Sequence, residues 1–204
     1  MFGADMLTFQ EFMMGEPLPL ATLHNAVLEF LRGRDDIVVF GAQAVNAYVN
    51  EPRMTQDLDL LSTHAEGVAQ ELRDYLRQRF RIAVRVRCVG EGRRFRVFQV
   101  RNAGNRHLVA LRRVETLPGT ERIAGVLGIA PAALIASKVI AYQQRRGQPK
   151  SGTDWRDLAL LLLTFPDLKR DAGPVVGQLH AAGATPEVLT LWRAFSRGRR
   201  GILS

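Results

Sequence analysis

Several things are scarce in this chain, and each scarcity narrows the reading. Cys88 is the one cysteine among 204 residues, so no intrachain disulfide forms and a reducing compartment is expected. Cys88 lies in a strand-like run without a Cys-His pattern, which reads as a buried structural thiol rather than a nucleophile. His24, His64, His107 and His180 show no metal-ligand spacing, and each is expected to be a surface or packing residue. Long apolar runs are missing too. The most apolar one, Leu158 to Leu163, is far too short to cross a bilayer, and the stretch from Val126 to Ala136 is broken by Gly128 and Pro131. The first 31 residues contain no Lys or Arg but do contain Asp5, Glu11, Glu16 and Glu29, which argues against a secretory signal. A cytoplasmic protein without a membrane segment is the expectation. Internal repeats, Gly-x-Ser-x-Gly and Walker-type loops are absent. With 47% hydrophobic and 24% charged residues, the whole chain is neither disordered nor collagenous.

Lysine is nearly absent as well, and this shapes what is present. The net charge is +8, and only Lys138, Lys150 and Lys169 are lysines; the other basic residues are arginines. From Arg73 to Arg113 there are thirteen arginines against two acids, Asp74 and Glu91. Arg193, Arg197, Arg199 and Arg200 form a second cluster. The planar guanidinium bonds two phosphate oxygens at once. The arginine-rich stretch therefore reads either as a surface for nucleic acid or a phosphorylated ligand, or as the solvated strand faces of an arginine-rich chain.

Periodicity gives the outline. Met1 to Pro19 has no clear period and reads as an arm. A helix is predicted from about Leu20 to Arg32, then a buried strand at Ile37–Phe40 and a short helix over Ala42–Val49. Gln56–Leu61 alternates as a strand. Ser62, Thr63 and Glu66 suggest a capping box for a helix running to about Phe80. Phe80, Ile82, Val84 and Val86 alternate with Arg79, Arg81, Arg85 and Arg87, as in a strand with one core face and one basic face. Arg94–Arg101 and Arg106–Val114 read as a hairpin around Asn102–Asn105. After Pro118 the period becomes helical: Ala132–Arg146, a helix capped by Thr153 and running through Leu163, Val175–Ala182 and Pro186–Arg197. Trp155 and Trp192 read as helix-packing residues. The expected division is residues 1–117, an α/β module with its arm, and 118–204, a helical region.

The chemistry-bearing segment is Val38 to Leu61. Asp57 and Asp59, two apart on the predicted strand, leave one face while Leu58 and Leu60 enter the core. Paired carboxylates repel unless a cation lies between them, and their hard oxygens suit Mg²⁺ with bound phosphates. Gly41 follows a strand and opens a helix, a junction where phosphate can approach backbone N–H groups. Arg53 and Thr55 precede the acids and are placed to contact phosphate oxygens or brace the loop. Downstream, Lys138, Tyr142 and Arg145 share a helix face. Asp157 is expected to open the next helix. Lys138 either reaches a nucleotide phosphate or pairs with Asp157 at the surface.

Gly41, Arg53-x-Thr55-x-Asp57-x-Asp59, Leu134–Lys138, Arg145 and Trp155–Leu158 together resemble the nucleotidyltransferase fold of the DNA polymerase β superfamily. More narrowly, they resemble the AbiEii-type branch of nucleotidyltransferase toxins. The resemblance spans about Leu20 to Leu163. It implies an α+β fold, with a mixed β-sheet flanked by helices and a C-terminal helical part. It implies catalytic and metal-binding Asp57 and Asp59, a Mg²⁺ cofactor, and a nucleoside triphosphate held by Gly41, Ala42, Arg53, Thr55 and Lys138. The implied reaction is nucleotidyl transfer to an RNA or other hydroxyl acceptor on the arginine-rich face. The implied role is the toxin of a toxin–antitoxin pair, with an antitoxin protein as partner.

The chain also departs from that pattern. The resemblance would put a third, proton-accepting carboxylate near Ala110, which can neither ligate nor take a proton. Glu115 lies five residues on and would need a bulge or bend to face the site; Glu91 is a looser substitute. Ala42 stands where many superfamily members carry Ser, with Gln43 as a stand-in. Three readings therefore remain open. They are a nucleotidyltransferase, a catalytically impaired relative that binds nucleotide, nucleic acid or a partner, and an α/β domain whose Asp pair is surface charge.

Overall fold

The computed structural model of the chain describes residues 18–102 and 104–197. The expected N-terminal arm and the end of the second arginine cluster fall largely outside the described residues. The described residues form two compact units: one from residues within 18–47 and 52–129, the other from residues 48–51 and 130–197. The first expected module was to end at residue 117. Strand pairing carries its sheet to Ile129.

In the first unit the order is α1 (Leu20–Leu31), β1 (Ile37–Phe40), α2 (Gly41–Tyr48), β2 (Leu58–Ser62), α3 (Ala65–Phe80), β3 (Val84–Val89), β4 (Arg94–Gln99), β5 (Arg106–Arg113), β6 (Thr120–Ile123) and β7 (Val126–Ile129). The seven strands form one mixed sheet, ordered β3-β4-β5-β2-β1-β7-β6. β1 runs antiparallel to β2 and parallel to β7, and β2 runs parallel to β5. This is the α+β architecture expected, a mixed sheet with helices.

Helix α3 packs against β2–β5 through Val68, Ala69, Leu72 and Leu76, and α1 lies beside it. The strand residues beneath them, Leu58, Leu60, Phe95, Val97, Val109 and Leu111, are buried. Burying side chains of this size contributes about 1.5–3 kcal/mol each before entropy is counted, so this face is the main core of the unit.

Several local expectations are corrected. Helix α3 continues through Phe80 and stops at Arg81, whose φ of 54° is left-handed, so the strand opens at Val84 rather than near Phe80. The alternation of Arg79 and Arg81 with apolar neighbours is helical end plus loop, and Cys88, expected to be buried, is exposed on β3. No capping box forms on α3. The Ser62 hydroxyl accepts from the His64 N–H at 3.2 Å, and His64 is the N-cap residue without a side-chain cap bond. The β6–β7 hairpin was missed altogether. Its two-residue turn, Ala124-Gly125, has φ of 49° and 85°, the pattern of a type I′ turn. Ala in place of the usual Asn or Asp removes the signal that would mark it.

The second unit contains α4 (Pro131–Gln144), α5 (Pro149–Thr164), a 3₁₀ turn (Pro166–Leu168), α6 (Pro174–Ala181) and α7 (Pro186–Ser196). Helices α5, α6 and α7 all pack on α4. Pro149 starts α5 at its first turn, so Thr153 lies inside the helix and does not cap it. Trp192 is fully buried, its indole N–H donating to the Arg170 carbonyl at 3.1 Å. The rings of Trp155 and Phe195 stack at 5.2 Å, and Tyr142 meets Phe195 edge-on at 5.8 Å. Both tryptophans are packing residues, as expected. Among the described residues no helix is long and apolar enough to cross a membrane.

Candidate active site

The sheet's two faces differ in chemistry. Lateral neighbours in a sheet present their side chains to the same face. Asp59 pairs with Phe40 of β1 on one side and Ala110 of β5 on the other. Ala110 in turn faces Arg96 of β4, and Arg96 faces Arg87 of β3. The row Phe40–Asp59–Ala110–Arg96–Arg87 thus lies on the face opposite the α3 core. Adjacent positions add Arg85, Arg94 and Arg112, and all five arginines are exposed. The division into one core face and one basic face follows the strand alternation.

Gly41 connects this face to α2. It ends β1, opens the helix and has φ of 68°, a conformation L side chains rarely adopt. The Asp59 carboxylate is packed against it: a Cβ on Gly41 would lie 3.0 Å from Asp59 Cβ and Cγ, and closer still to Oδ2. The space that a side chain would fill is therefore occupied by the carboxylate. Ala42 follows in the first turn of α2. Gln43 is turned inward and buried, and its Oε1 accepts from Asn46 Nδ2 at 3.4 Å.

Asn46 was not singled out by sequence. Its amide brackets Arg53, accepting from the Arg53 N–H at 2.9 Å and donating to the Arg53 carbonyl at 2.7 Å. It fixes the irregular segment that carries Arg53 and Thr55 between α2 and β2. Arg112 was also missed as an individual. Its guanidinium lies 5.2 Å from the centre of the Phe40 ring, next to Gly41, and so places a cation on the carboxylate face.

Asp57 was expected inside the strand, but β2 begins at Leu58 and Asp57 sits in the bend before it. It meets a residue that sequence reading assigned to packing: Asp57 Oδ2 is 3.0 Å from His107 Nδ1. A β-bulge brings His107 there. Val97 of β4 faces Val109, yet the next residue, Phe98, faces His107, so β5 carries Leu108 as an extra residue. In unbroken alternation, His107 would share the core face of Val109 and Leu111. The bulge turns it to the side of Asp57, Asp59 and Phe98.

Neither stand-in for the third carboxylate reaches this place. The bulge is at the His107 end of β5, so nothing bends the strand between Ala110 and Glu115. Val114 donates its N–H to the Ser62 carbonyl, which puts Glu115 past the far end of β2. Five residues at strand rise separate it from Ala110 by roughly 16 Å. Glu91 sits in the exposed β3–β4 turn, 3.6 Å from Arg93 Nη2. Among the described residues no group of three or more His, Cys, Asp or Glu is arranged to hold a metal ion. Hard oxygen donors from two carboxylates fit Mg²⁺, which normally keeps waters and takes phosphate oxygens as its other ligands.

Lys138 belongs to the second unit. It is buried there, with Nζ 2.7 Å from Asp157 Oδ2 and 3.8 Å from Asp154 Oδ1. Arg145 reaches Asp154 at 2.7 Å. Asp157 is fully buried in the middle of α5, not at its start, because the helix begins at Pro149. The surface lysine pair considered from sequence is a buried charge network.

Comparisons with known proteins bear on the fold. No family model and no curated protein sequence matches the chain. Among solved structures it is similar to the Megavirus polyadenylate synthase (TM-score 0.60, 15% identity), over 77% of this chain and 34% of that one. The chain thus spans about a third of the length of that relative. It is also similar to JHP933 from Helicobacter pylori (TM-score 0.54, 13% identity, 94% of this chain and 92% of that one). A further Helicobacter pylori protein, solved as a candidate nucleotidyltransferase, gives a TM-score of 0.56 at 12% identity, over 94% of this chain and 95% of that one. At these identities the likeness defines the fold: it is nucleotidyltransferase-like.

Proposed function

We propose that the chain binds a nucleoside triphosphate with Mg²⁺ and transfers its nucleotidyl group to a hydroxyl of a phosphate-bearing acceptor, RNA foremost. The observation that carries this reading is the Asp59 carboxylate lodged against a left-handed Gly41, with Asp57 on the same side. Asp57 and Asp59 would hold the cation, which when bound supplies positive charge to phosphate oxygens. The N–H groups opening α2 at Gly41 and Ala42 offer an anion site of their own. Arg53, held by Asn46, and Thr55 orient phosphate. Arg112 adds fixed positive charge where the transferred group would gain negative charge. The motif resemblance alone keeps Lys138, which belongs to the second unit, as a proposed phosphate contact. One structurally similar protein is a polyadenylate synthase, which supports the nucleotide reading; for this chain the nucleotide and the RNA acceptor are both proposals. The AbiEii-type motif resemblance supports a toxin role with an antitoxin partner.

The expected result is transfer of label from an α-labelled nucleoside triphosphate to total RNA in the presence of Mg²⁺, lost in Asp57→Ala. A second reading rests on Ala110: without a carboxylate there, the chain binds nucleotide and does not transfer it. That outcome would show triphosphate binding that survives Asp57→Ala, with no labelled product. A chain that binds no triphosphate would contradict both readings.

The arginine face supports the acceptor assignment. Arg87 and Arg96 lie directly opposite each other, as do Arg94 and Arg112. Like charges so placed destabilise a sheet unless an anion offsets them. Three strand spacings of about 4.8 Å lead from Arg87 to Asp59, a track of about 14 Å. Binding of a single-stranded RNA oligonucleotide, followed by fluorescence anisotropy, is expected to weaken with salt. Arg87→Ala and Arg96→Ala should each lower the slope of log affinity against log salt by about 0.7, whatever the sequence. Unchanged slopes in both variants would remove this face from the acceptor site.

A further inference from the structure

We infer that His107 is a positioning residue: it holds Asp57 in the orientation needed to bind a divalent cation. This rests on the metal reading above but concerns a residue that neither the motif nor the fold likeness assigns.

The position of Asp57 in the chain differs from that of Asp59. Asp59 is held by β2 and packed on Gly41. Asp57 precedes the strand, in a bend at the end of an irregular segment, so ladder hydrogen bonds do not define its direction. Its carboxylate meets His107 Nδ1 at 3.0 Å. With a hydrogen on Nδ1, a ring held this close to Oδ2 limits the rotation of the carboxylate and leaves its second oxygen turned away from the ring.

The His107 ring is itself fixed from two further sides. Its Nε2 lies 3.1 Å from the Val109 carbonyl, an acceptor, so the ring bonds Asp57 and Val109 together only with hydrogens on both nitrogens; with Nδ1–H alone it bonds Asp57. The Phe98 ring lies against it, centroids 5.0 Å apart. Both neighbours follow from the same β-bulge, which opposes Phe98 to His107 and removes His107 from the core face. A bulge interrupts the ladder, and here the local break places one imidazole beside one carboxylate. Hydrogen bonds of this kind orient carboxylate ligands, and losing one typically lowers metal affinity 10–100-fold.

Binding of Mn²⁺ alone to the full chain, measured by electron paramagnetic resonance, tests this without requiring activity. His107→Ala should weaken Mn²⁺ binding about 10–100-fold. His107→Asn, whose amide N–H can occupy the place of Nδ1–H, should recover most of it. His107→Gln, which puts its amide at the position of Nε2, should resemble His107→Ala. Phe98→Leu should weaken binding less than His107→Ala does. Equal affinities for the Asn and Gln variants would overturn the proposal, as would wild-type affinity in His107→Ala, while leaving the metal reading intact. A wild-type chain that binds no Mn²⁺, or one whose binding survives Asp57→Ala, would overturn the metal reading itself.

Discussion

Gly41→Ala is expected to disable the carboxylate face more thoroughly than its single added methyl suggests. Two effects act together. The residue sits at φ of 68°, where an L side chain costs about 1–2 kcal/mol. The new Cβ would also overlap Asp59, whose Cβ and Cγ are 3.0 Å from that point. Asp59 cannot answer by moving its far end alone, because its Cβ is part of the conflict. The strand and the helix N-terminus must separate, or the carboxylate must rotate out of place. A misplacement of about 1 Å in such a site costs on the order of 100-fold in function. Divalent-cation and triphosphate binding are therefore expected to fall by about 100-fold, with a loss of about 1–3 kcal/mol in stability. Isothermal titration together with a urea melt separates the two. Unchanged cation binding in Gly41→Ala would mean that the Asp59 carboxylate is not the ligand.

Lys138→Met is expected to have the largest effect on stability. Lys138 and Asp157 are both buried and 2.7 Å apart, with Asp154 buried beside them. Removing the ammonium takes from the fully buried Asp157 its 2.7 Å cation, while Asp154 keeps Arg145 at 2.7 Å. Breaking a buried pair in this way costs about 3–5 kcal/mol. For a chain of this size that corresponds to a fall in Tm of roughly 10 °C. The double variant Lys138→Met with Asp157→Leu should recover much of the loss, because no lone charge remains. A single variant that melts like the wild type would show that the ammonium is not needed by Asp157. That result would favour the phosphate role proposed for Lys138.

The part of the site legible in the sequence was the part governed by strict alternation. Asp59, Leu58 and Leu60 obey the two-residue period of a strand, and Gly41 marks the turn at the end of β1. The resemblance puts the missing third carboxylate near Ala110, and the β2–β5 register sets Ala110 beside Asp59. His107 was not legible, because one extra residue in β5 reverses its face and a bulge leaves no mark in composition. Arg112 was visible only as one arginine among thirteen; its place over Phe40 depends on three strands coming into register.

The fold divides in the same way. Helices with a clear apolar face, such as Leu20–Leu31, were found nearly to the residue. The β6–β7 hairpin was lost because Ala124-Gly125 lacks the usual turn residues. In α5 the start was misplaced because Thr153 looked like a cap. Pro149, pre-set for a first turn, begins the helix four residues earlier and carries Asp157 into its buried middle.

Asp57 and Asp59 are proposed to grip a cation beside Gly41. A crystal structure grown with Mg²⁺ and a non-hydrolysable nucleoside triphosphate tests it most directly. The account predicts an octahedral ion ligated by both carboxylates and by phosphate oxygens, with the phosphates over the Gly41–Ala42 amides. A triphosphate bound elsewhere, or one bound here with neither aspartate touching its cation, would contradict it.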